Sequence, residues 1–396
     1  MKVLLTHRYF WPDSPPYGVM LHSLSKVIAN NGHDVHVYAS RPSYRESSSE
    51  NAPAKELDEG VTIWRGSVLG TEKSNFIVRA INVVMYCSGL FYAIIRLRPD
   101  VVTAATFPPI AAGWFASIAA KIVGARFIYH MQDIHPEVSL YSNGLLGRGV
   151  VCRLLMGIDN QTLRRAASVV VLSTDMANTL RDRKVELTDI RVINNPPVTA
   201  MLSDDIPPKE FRKDPRKTRV IFAGNLGRFQ NLSLLAEGVA ECFAEFPLLE
   251  LVFLGEGSVA GELKKIWADS PQVKFLPFVP FEQAKILLEE SDVGLVSLQS
   301  DIYRVSFPSK MTTYLSLSLP MLVLVEKNSE LARITEEHGL GKVPSQMNKD
   351  SIAAALKELL NPDFRRTSNA DWFQSNCSTE ANQKLWLKLL SHHDNG

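Results

Sequence analysis

Two doubly wound α/β domains, each built on a parallel sheet, are predicted from three observations. Short β-branched runs alternate with longer amphipathic stretches along the whole chain, the pattern of βαβ units. The length, 396 residues, fits two domains. A segment of paired prolines and charges without apolar periodicity, from Asn194-Asn-Pro-Pro-Val198 to residue 217, separates two sets of runs.

The first set places strands at residues 3–6, 34–39, 61–65, 100–104, 126–130 and 168–172. The second places them at 219–223, 250–254, 273–276, 292–297 and 321–325. The predicted domains are therefore 1–200 and 218–375, with a linker at 201–217 and a C-terminal helix, 376–396, returning to the first domain. Ligands of such sheets bind beyond the carboxyl ends of the strands, so the chemistry is expected in the loops that follow them, around a cleft between the domains.

Composition narrows the function. With 45% hydrophobic and 21% charged residues, the chain is neither disordered nor a disulfide scaffold. A net charge of +1 argues against a dedicated nucleic-acid partner. The charge is uneven, +5 over residues 1–200 and −4 over the rest. Four cysteines, far apart and without a Cys-x-x-Cys pair, read as reduced thiols of a cytosolic protein. The first residues carry only a short apolar run, so no signal peptide is expected. Residues 76–95 are nearly all apolar, with Arg79, Asn82, Tyr86 and Gly89 forming a narrow stripe at helical spacing. Three readings stand: a helix buried in the first domain, a helix dipping into a membrane surface, or a span.

Five stretches carry the chemistry. Phe10-Trp-Pro-Asp-Ser-Pro-Pro-Tyr-Gly18 follows the first strand and opens a helix, where glycine and free helix N–H groups suit a phosphate. Gln132-Asp133-Ile-His-Pro-Glu137 follows the strand at 126–130. Gly224-Asn-Leu-Gly-Arg-Phe-Gln230 follows the strand at 219–223. Gly255-Glu-Gly257 makes a turn after the next strand, and Phe275-Leu-Pro-Phe-Val279 a loop after the one beyond; the former lacks the third glycine of a dinucleotide fingerprint. The fifth runs Val305-Ser-Phe-Pro-Ser-Lys-Met-Thr-Thr-Tyr-Leu-Ser-Leu-Ser-Leu-Pro320.

In this order they resemble glycosyltransferase family 4, retaining sugar-nucleotide transferases of the GT-B fold, two Rossmann-like domains facing a central cleft. The form Gly-Asn-Leu-Gly-x-x-Gln is similar to the branch that builds capsular and O-antigen polysaccharides, including fucose- and N-acetylfucosamine-type transferases. The resemblance implies a hexosyltransferase that moves a sugar, with retention, from a nucleotide-diphosphate sugar (a UDP-sugar favoured) to a hydroxyl of a polyprenyl-linked oligosaccharide. Donor binding would fall to Gly18, Gly224, Asn225, Arg228, Gln230, Glu256, Val279, Phe307, Ser309, Lys310 and Thr313. Asp133 and Lys310 are the catalytic candidates; Tyr17, Gln132, His135 and Glu137 lie on the acceptor side. His130, inside its strand, reads as a satisfied core histidine.

The chain departs from the family at charged positions. Asn225 and Gln230 replace the Arg and Lys that hold the pyrophosphate, and Tyr17 replaces a loop glycine. Val305 and Thr313 stand where two glutamates grip sugar and ribose. Lys310 is the cation left in register. No Asp-x-Asp occurs, so metal independence is expected, with no cofactor beyond the nucleotide-sugar substrate. A cytoplasmic protein, peripheral at an anionic inner membrane face, is the expected setting. The rival readings are a catalytically impaired GT-B scaffold subunit, motivated by the missing glutamates, and a nucleotide-sugar epimerase of related build.

Overall fold

The computed structural model describes residues 1–13, 15–42, 52–69, 75–141, 149–198, 206–364 and 370–391. Ser14 of the first motif, residues 201–205 of the expected linker and residues 392–396 lie outside the described residues. The chain divides into two units. One comprises Met1–Asn195, Val305–Phe307 and Glu380–Gly396; the other comprises Pro196–Arg304 and Pro308–Thr379.

The first unit runs β1 (Lys2–Thr6), α1 (Pro16–Asn30), β2 (Asp34–Ser40), β3 (Lys55–Asp58), β4 (Val61–Gly66), α2 (Phe76–Leu97), β5 (Val101–Ala105), α3 (Ala111–Val123), β6 (Arg126–His130), α4 (Glu137–Tyr141), α5 (Gly149–Arg165), β7 (Ser168–Val171), α6 (Thr174–Asp182) and β8 (Ile190–Val192). Its sheet has the order β3-β4-β2-β1-β5-β6-β7-β8 and is parallel except for β3. β5 and β7 are buried at every position because helices cover both faces of the sheet.

The second unit runs β9 (Thr218–Ala223), α7 (Leu232–Ala240), β10 (Leu249–Leu254), α8 (Ala260–Ile266), β11 (Val273–Leu276), α9 (Phe281–Glu289), β12 (Val293–Ser297), α10 (Lys310–Ser316), β13 (Met321–Leu324), α11 (Glu330–Glu337), β14 (Gly341–Lys342), α12 (Lys349–Leu360) and α13 (Ala370–Asn376). Its parallel sheet has the order β11-β10-β9-β12-β13-β14. The last helix, α14 (Thr379–Ser391), joins the first unit from Glu380 onward. There Trp386, Leu389 and Leu390 share one core with α1, β1 and β2.

α2 departs from a fully buried helix. Asn82, Tyr86, Leu90 and Ile94 face inward, while Phe76 is 80% exposed and Val84 65%. The narrow polar stripe is thus largely the inward one. The Asn82 amide exchanges hydrogen bonds with the N–H and C=O of Leu69, both at 2.8 Å, and the Tyr86 ring lies 5.5 Å from that of Tyr38. Satisfying a buried amide this way removes the desolvation cost that would otherwise turn the stripe outward.

Candidate active site

In the second unit β10 lies on one side of β9 and β12 on the other, so the loops leaving β9 and β12 flank a topological switch point. The loop after β9 is pinned to the turn after β10. The Gly224 N–H donates to the Leu254 carbonyl at 2.9 Å and the Leu226 N–H to the Glu256 carbonyl at 2.8 Å. Gly255 makes this approach possible: its φ is +134°, and a Cβ there would sit 2.2 Å from the Gly224 carbonyl oxygen. The Gly227 N–H donates to Gln230 Oε1 at 2.8 Å, closing the loop and leaving the Gln230 amide hydrogens to donate elsewhere. Asn225, Arg228 and Glu256 are exposed on these two loops; Val279, after β11, is buried.

Lys310 opens α10 beside the same loop. Its Nζ lies 3.2 Å from the centroid of the Phe222 ring at the end of β9, and a Cβ on Gly224 would be 3.9 Å from that nitrogen. The stem of the side chain keeps some surface, but Nζ is buried and has no hydrogen-bond partner among the described residues. Burial pulls its pKa well below that of an ordinary lysine. Nζ thus packs on the Phe222 face with no anion beside it among the described residues. Ser309 is half-buried before it, and Thr313 is buried one turn on.

The first unit assembles a second cluster at the carboxyl ends of β1, β5 and β6. The Tyr17 hydroxyl meets His130 Nδ1 at 3.0 Å, and His130 Nε2 meets Gln132 Nε2 at 2.9 Å. Gln132 and Asn195 exchange amide hydrogen bonds at 2.5 and 3.4 Å, which orients the Gln132 amide and makes His130 Nε2 the acceptor. His130 Nδ1–H then donates to Tyr17. Gly18, next on α1, is buried where a Cβ would come within 3.0 Å of the Tyr9 carbonyl, so its small size serves packing against its own loop.

Asp133 is half-buried, its N–H directed at Thr106 Oγ1 at 3.4 Å. It forms an isolated antiparallel bridge with Ser306, and the Ile134 N–H donates to the Val305 carbonyl at 2.8 Å. Val305, at the position of the first family glutamate, is completely buried, and Phe307 nearly so. Glu137 is taken up within the fold: both of its oxygens accept from Arg183, at 2.7 and 2.6 Å. Arg183 also donates to the His135 carbonyl at 2.8 Å and to Asp159 at 2.5 Å. Burial lowers the His135 pKa, against the pull of Asp133, Asp159 and Glu137.

Sequence reasoning passed over several members of these clusters. His7, edge-on to Tyr17 with ring centroids 4.6 Å apart, directly follows β1; Thr106 directly follows β5. Their strand-end positions were a usable signal. Asn195 falls in the proline-rich segment that separates the two sets of strands, and Phe222 inside the strand expected at 219–223.

The histidines carry a pH signature. Burial, with Arg8 as the lesser cause, holds His7 at about 3, and burial, with His7 as the lesser cause, holds His130 at about 3, against an ordinary 6.5. Both are neutral when folded and protonate more readily when unfolded. Their stabilisation is complete above about pH 6.5 and is lost as the pH falls toward 3. Each adds a slope of up to about 1.4 kcal/mol per pH unit. Denaturant unfolding between pH 7 and 5 should show that loss, and His130→Gln should remove about one proton from the slope. An identical slope in the variant would place the proton uptake elsewhere.

Residues 17–196 match the glycosyl transferase 4-like domain family. The probable glycosyltransferase WbjE of Pseudomonas aeruginosa is 23% identical over 273 residues, 67% of this chain and 68% of WbjE. Among solved structures, sucrose-phosphate synthase from Thermosynechococcus elongatus superposes with a TM-score of 0.75 at 13% identity, covering 99% of this chain and 98% of its own. The trehalose-6-phosphate protein of E. coli bound with UDP-2-fluoro glucose gives 0.71 at 11% identity, with 98% and 99% covered. Anabaena HepE in complex with UDP gives 0.67 at 14%, with 99% and 100% covered. Residues 17–196 thus match a glycosyl transferase 4-like domain, a probable glycosyltransferase is a relative over two thirds of the chain, and the fold along nearly the whole length is GT-B.

Proposed function

We propose that the chain transfers a sugar from a UDP-sugar, with retention, to a hydroxyl of a polyprenyl-linked surface polysaccharide. The observation that carries this reading is Lys310. A buried Nζ without a hydrogen-bond partner among the described residues, beside the glycine loop at the β9–β12 switch point, is costly unless an anion completes it. The UDP named with HepE and the UDP-sugar named with the trehalose-6-phosphate protein support a nucleotide-diphosphate donor. The acceptor class rests on the resemblance of the Gly-Asn-Leu-Gly-x-x-Gln loop to the polysaccharide branch.

In this reading the acceptor oxygen attacks the anomeric carbon on the face from which the diphosphate departs. The sugar–phosphate bond breaks as the new bond forms, and the acceptor proton passes to the departing phosphate oxygen. Lys310, with amide hydrogens of Asn225 and Gln230 and the cation of Arg228, stabilises the charge that develops there. Asp133 contacts the acceptor hydroxyl or supports the sugar, with Tyr17, Gln132 and His135 around it.

The test is incubation with UDP-sugars and a lipid-linked acceptor, reading the anomeric coupling of the product by NMR. Transfer with retained configuration is expected. Turnover is also expected to survive EDTA, since the reading assigns the diphosphate charge to side chains; activity lost to the chelator and restored by magnesium or manganese would overturn that part. The scaffold reading is favoured by buried Val305 and Thr313 in place of the two glutamates. It requires UDP binding without turnover for any sugar.

A further inference from the structure

We propose that the outer faces of α2, α3 and α5 form one docking surface for an anionic lipid bilayer. The surface does not depend on which sugar or acceptor the protein uses.

The topology puts the three helices on one side of the sheet. The connections β4 to β5, β5 to β6 and β6 to β7 all advance in the same direction along the strand order, whereas β1 to β2, through α1, runs the other way. Right-handed crossovers then place α2, α3 and α5 together on the face opposite α1. α2 packs on α3 and α3 on α5, so the layer is continuous.

The outward side of this layer is apolar. Ile77, Val84 and Tyr92 on α2, Ile122 on α3, and Val150 and Leu154 on α5 are each more than 60% exposed. On α2 the outward residues recur at the helical period, while Asn82, hydrogen-bonded to Leu69, and Tyr86 turn inward. A helix that buries amide and phenol and shows isoleucine and valine to the outside is matched to an apolar medium on its free side.

Charge selects the occupant. The three helices carry Arg79, Arg96, Lys121, Arg153, Arg164 and Arg165. None of the six is in an ion pair with a described residue, and Arg165 lies over the Trp114 ring at 4.6 Å. Their single carboxylate, Asp159, is fully buried and held by Arg183 and Tyr129. Exposed apolar residues among cations that pair with no described residue, on helices with no exposed carboxylate, fit a bilayer with negatively charged headgroups. A second copy of the chain is a poor occupant, because a two-fold contact through this face would set six cations against six.

The test is flotation of the full chain with phosphatidylcholine vesicles, with and without phosphatidylglycerol, at low and high salt. Two double variants accompany it: Ile77→Asn with Val84→Asn, and Arg79→Glu with Arg153→Glu. All four positions are exposed, so melting temperatures should stay near that of the parent. Binding to phosphatidylglycerol vesicles at low salt is expected, weakened at least about tenfold by high salt, by omission of the anionic lipid, or by either double variant. No binding to anionic vesicles at low salt would overturn the proposal, as would binding that both variants retain in full. Self-association abolished by the variants, without vesicle binding, would assign the face to a second copy and equally overturn it.

Discussion

Lys310→Ala is expected to lower turnover by about a hundredfold to a thousandfold, the roughly 3–4 kcal/mol usually lost with one preorganised donor to a developing oxyanion. Its place explains the size. Asn225 and Gln230 bring no charge where the family has cations, and Gln230 spends its oxygen on the Gly227 N–H. Lys310 supplies a buried amine beside the loop after β9, where Arg228 is exposed. Because its nitrogen is buried over Phe222 with no acceptor, the unliganded site disfavours the ammonium form. A bound diphosphate would reverse that balance, so binding of UDP should draw a proton onto Lys310 above its depressed pKa. Calorimetry of UDP binding in buffers of different ionisation enthalpy reads this uptake, and Lys310→Ala should abolish it. Lys310→Met gives the opposite control. It removes an unsatisfied buried amine at similar volume, so it should raise stability by about 1–3 kcal/mol while remaining inactive. Lys310→Arg should recover only part, since a planar fork does not replace a compact ammonium. A nearly fully active Lys310→Ala beside a dead Arg228→Ala would move the phosphate role to Arg228. If both were active, the donor site would lie elsewhere.

Particular residues show how much of this was legible beforehand. The strands that were found are buried, β-branched runs with an internal pattern. Those that were not are edge elements whose state is decided by a neighbour. β3 reads Lys-Glu-Leu-Asp and pairs only with β4, while β8 and β14 have three and two residues. For α2 the spacing was visible but not its sign: nothing local to Asn82 says that Leu69 will satisfy it from outside the helix. Motif register brought Gly224, Gln230 and Lys310 to one switch point, because those positions are bound to strand ends. The bridge between Asp133 and Ser306 is a contact 173 positions apart in sequence, and no periodicity announces it. Glu137 looked available for an acceptor on the same grounds; its partner Arg183 is 46 residues away.

Arg183→Met is expected to destabilise the first unit by about 3–5 kcal/mol, the usual loss when one partner of a buried charge group is removed. Arg183 follows α6 and reaches Glu137, Asp159 and the His135 carbonyl, with 5% of its own side chain exposed and 9% and 0% of the two carboxylates. Burial opposes its charge, yet the hydrogen bonds that it donates to Glu137 and the charge of Asp159 outweigh it and hold its pKa above that of ordinary arginine. Burial, with the charge of Glu137 as a lesser cause, raises the Asp159 pKa, while Arg183 and the Tyr129 hydroxyl oppose the shift. Without the guanidinium, two carboxylates would stay buried with no cation, which is why the loss exceeds that of a surface pair. Adding Glu137→Gln and Asp159→Asn to Arg183→Met removes the stranded charges and should restore at least half of the stability. Turnover should not follow. The His135 carbonyl and Glu137 are the points by which Arg183 holds the segment that begins at Asp133, and an error of about 1 Å there can cost roughly a hundredfold. Urea denaturation and turnover, measured on the single and triple variants, separate the two effects. A triple variant that is both stable and fully active would show that the network supports the fold alone, and that the placement of Asp133 is set by its bridge to Ser306.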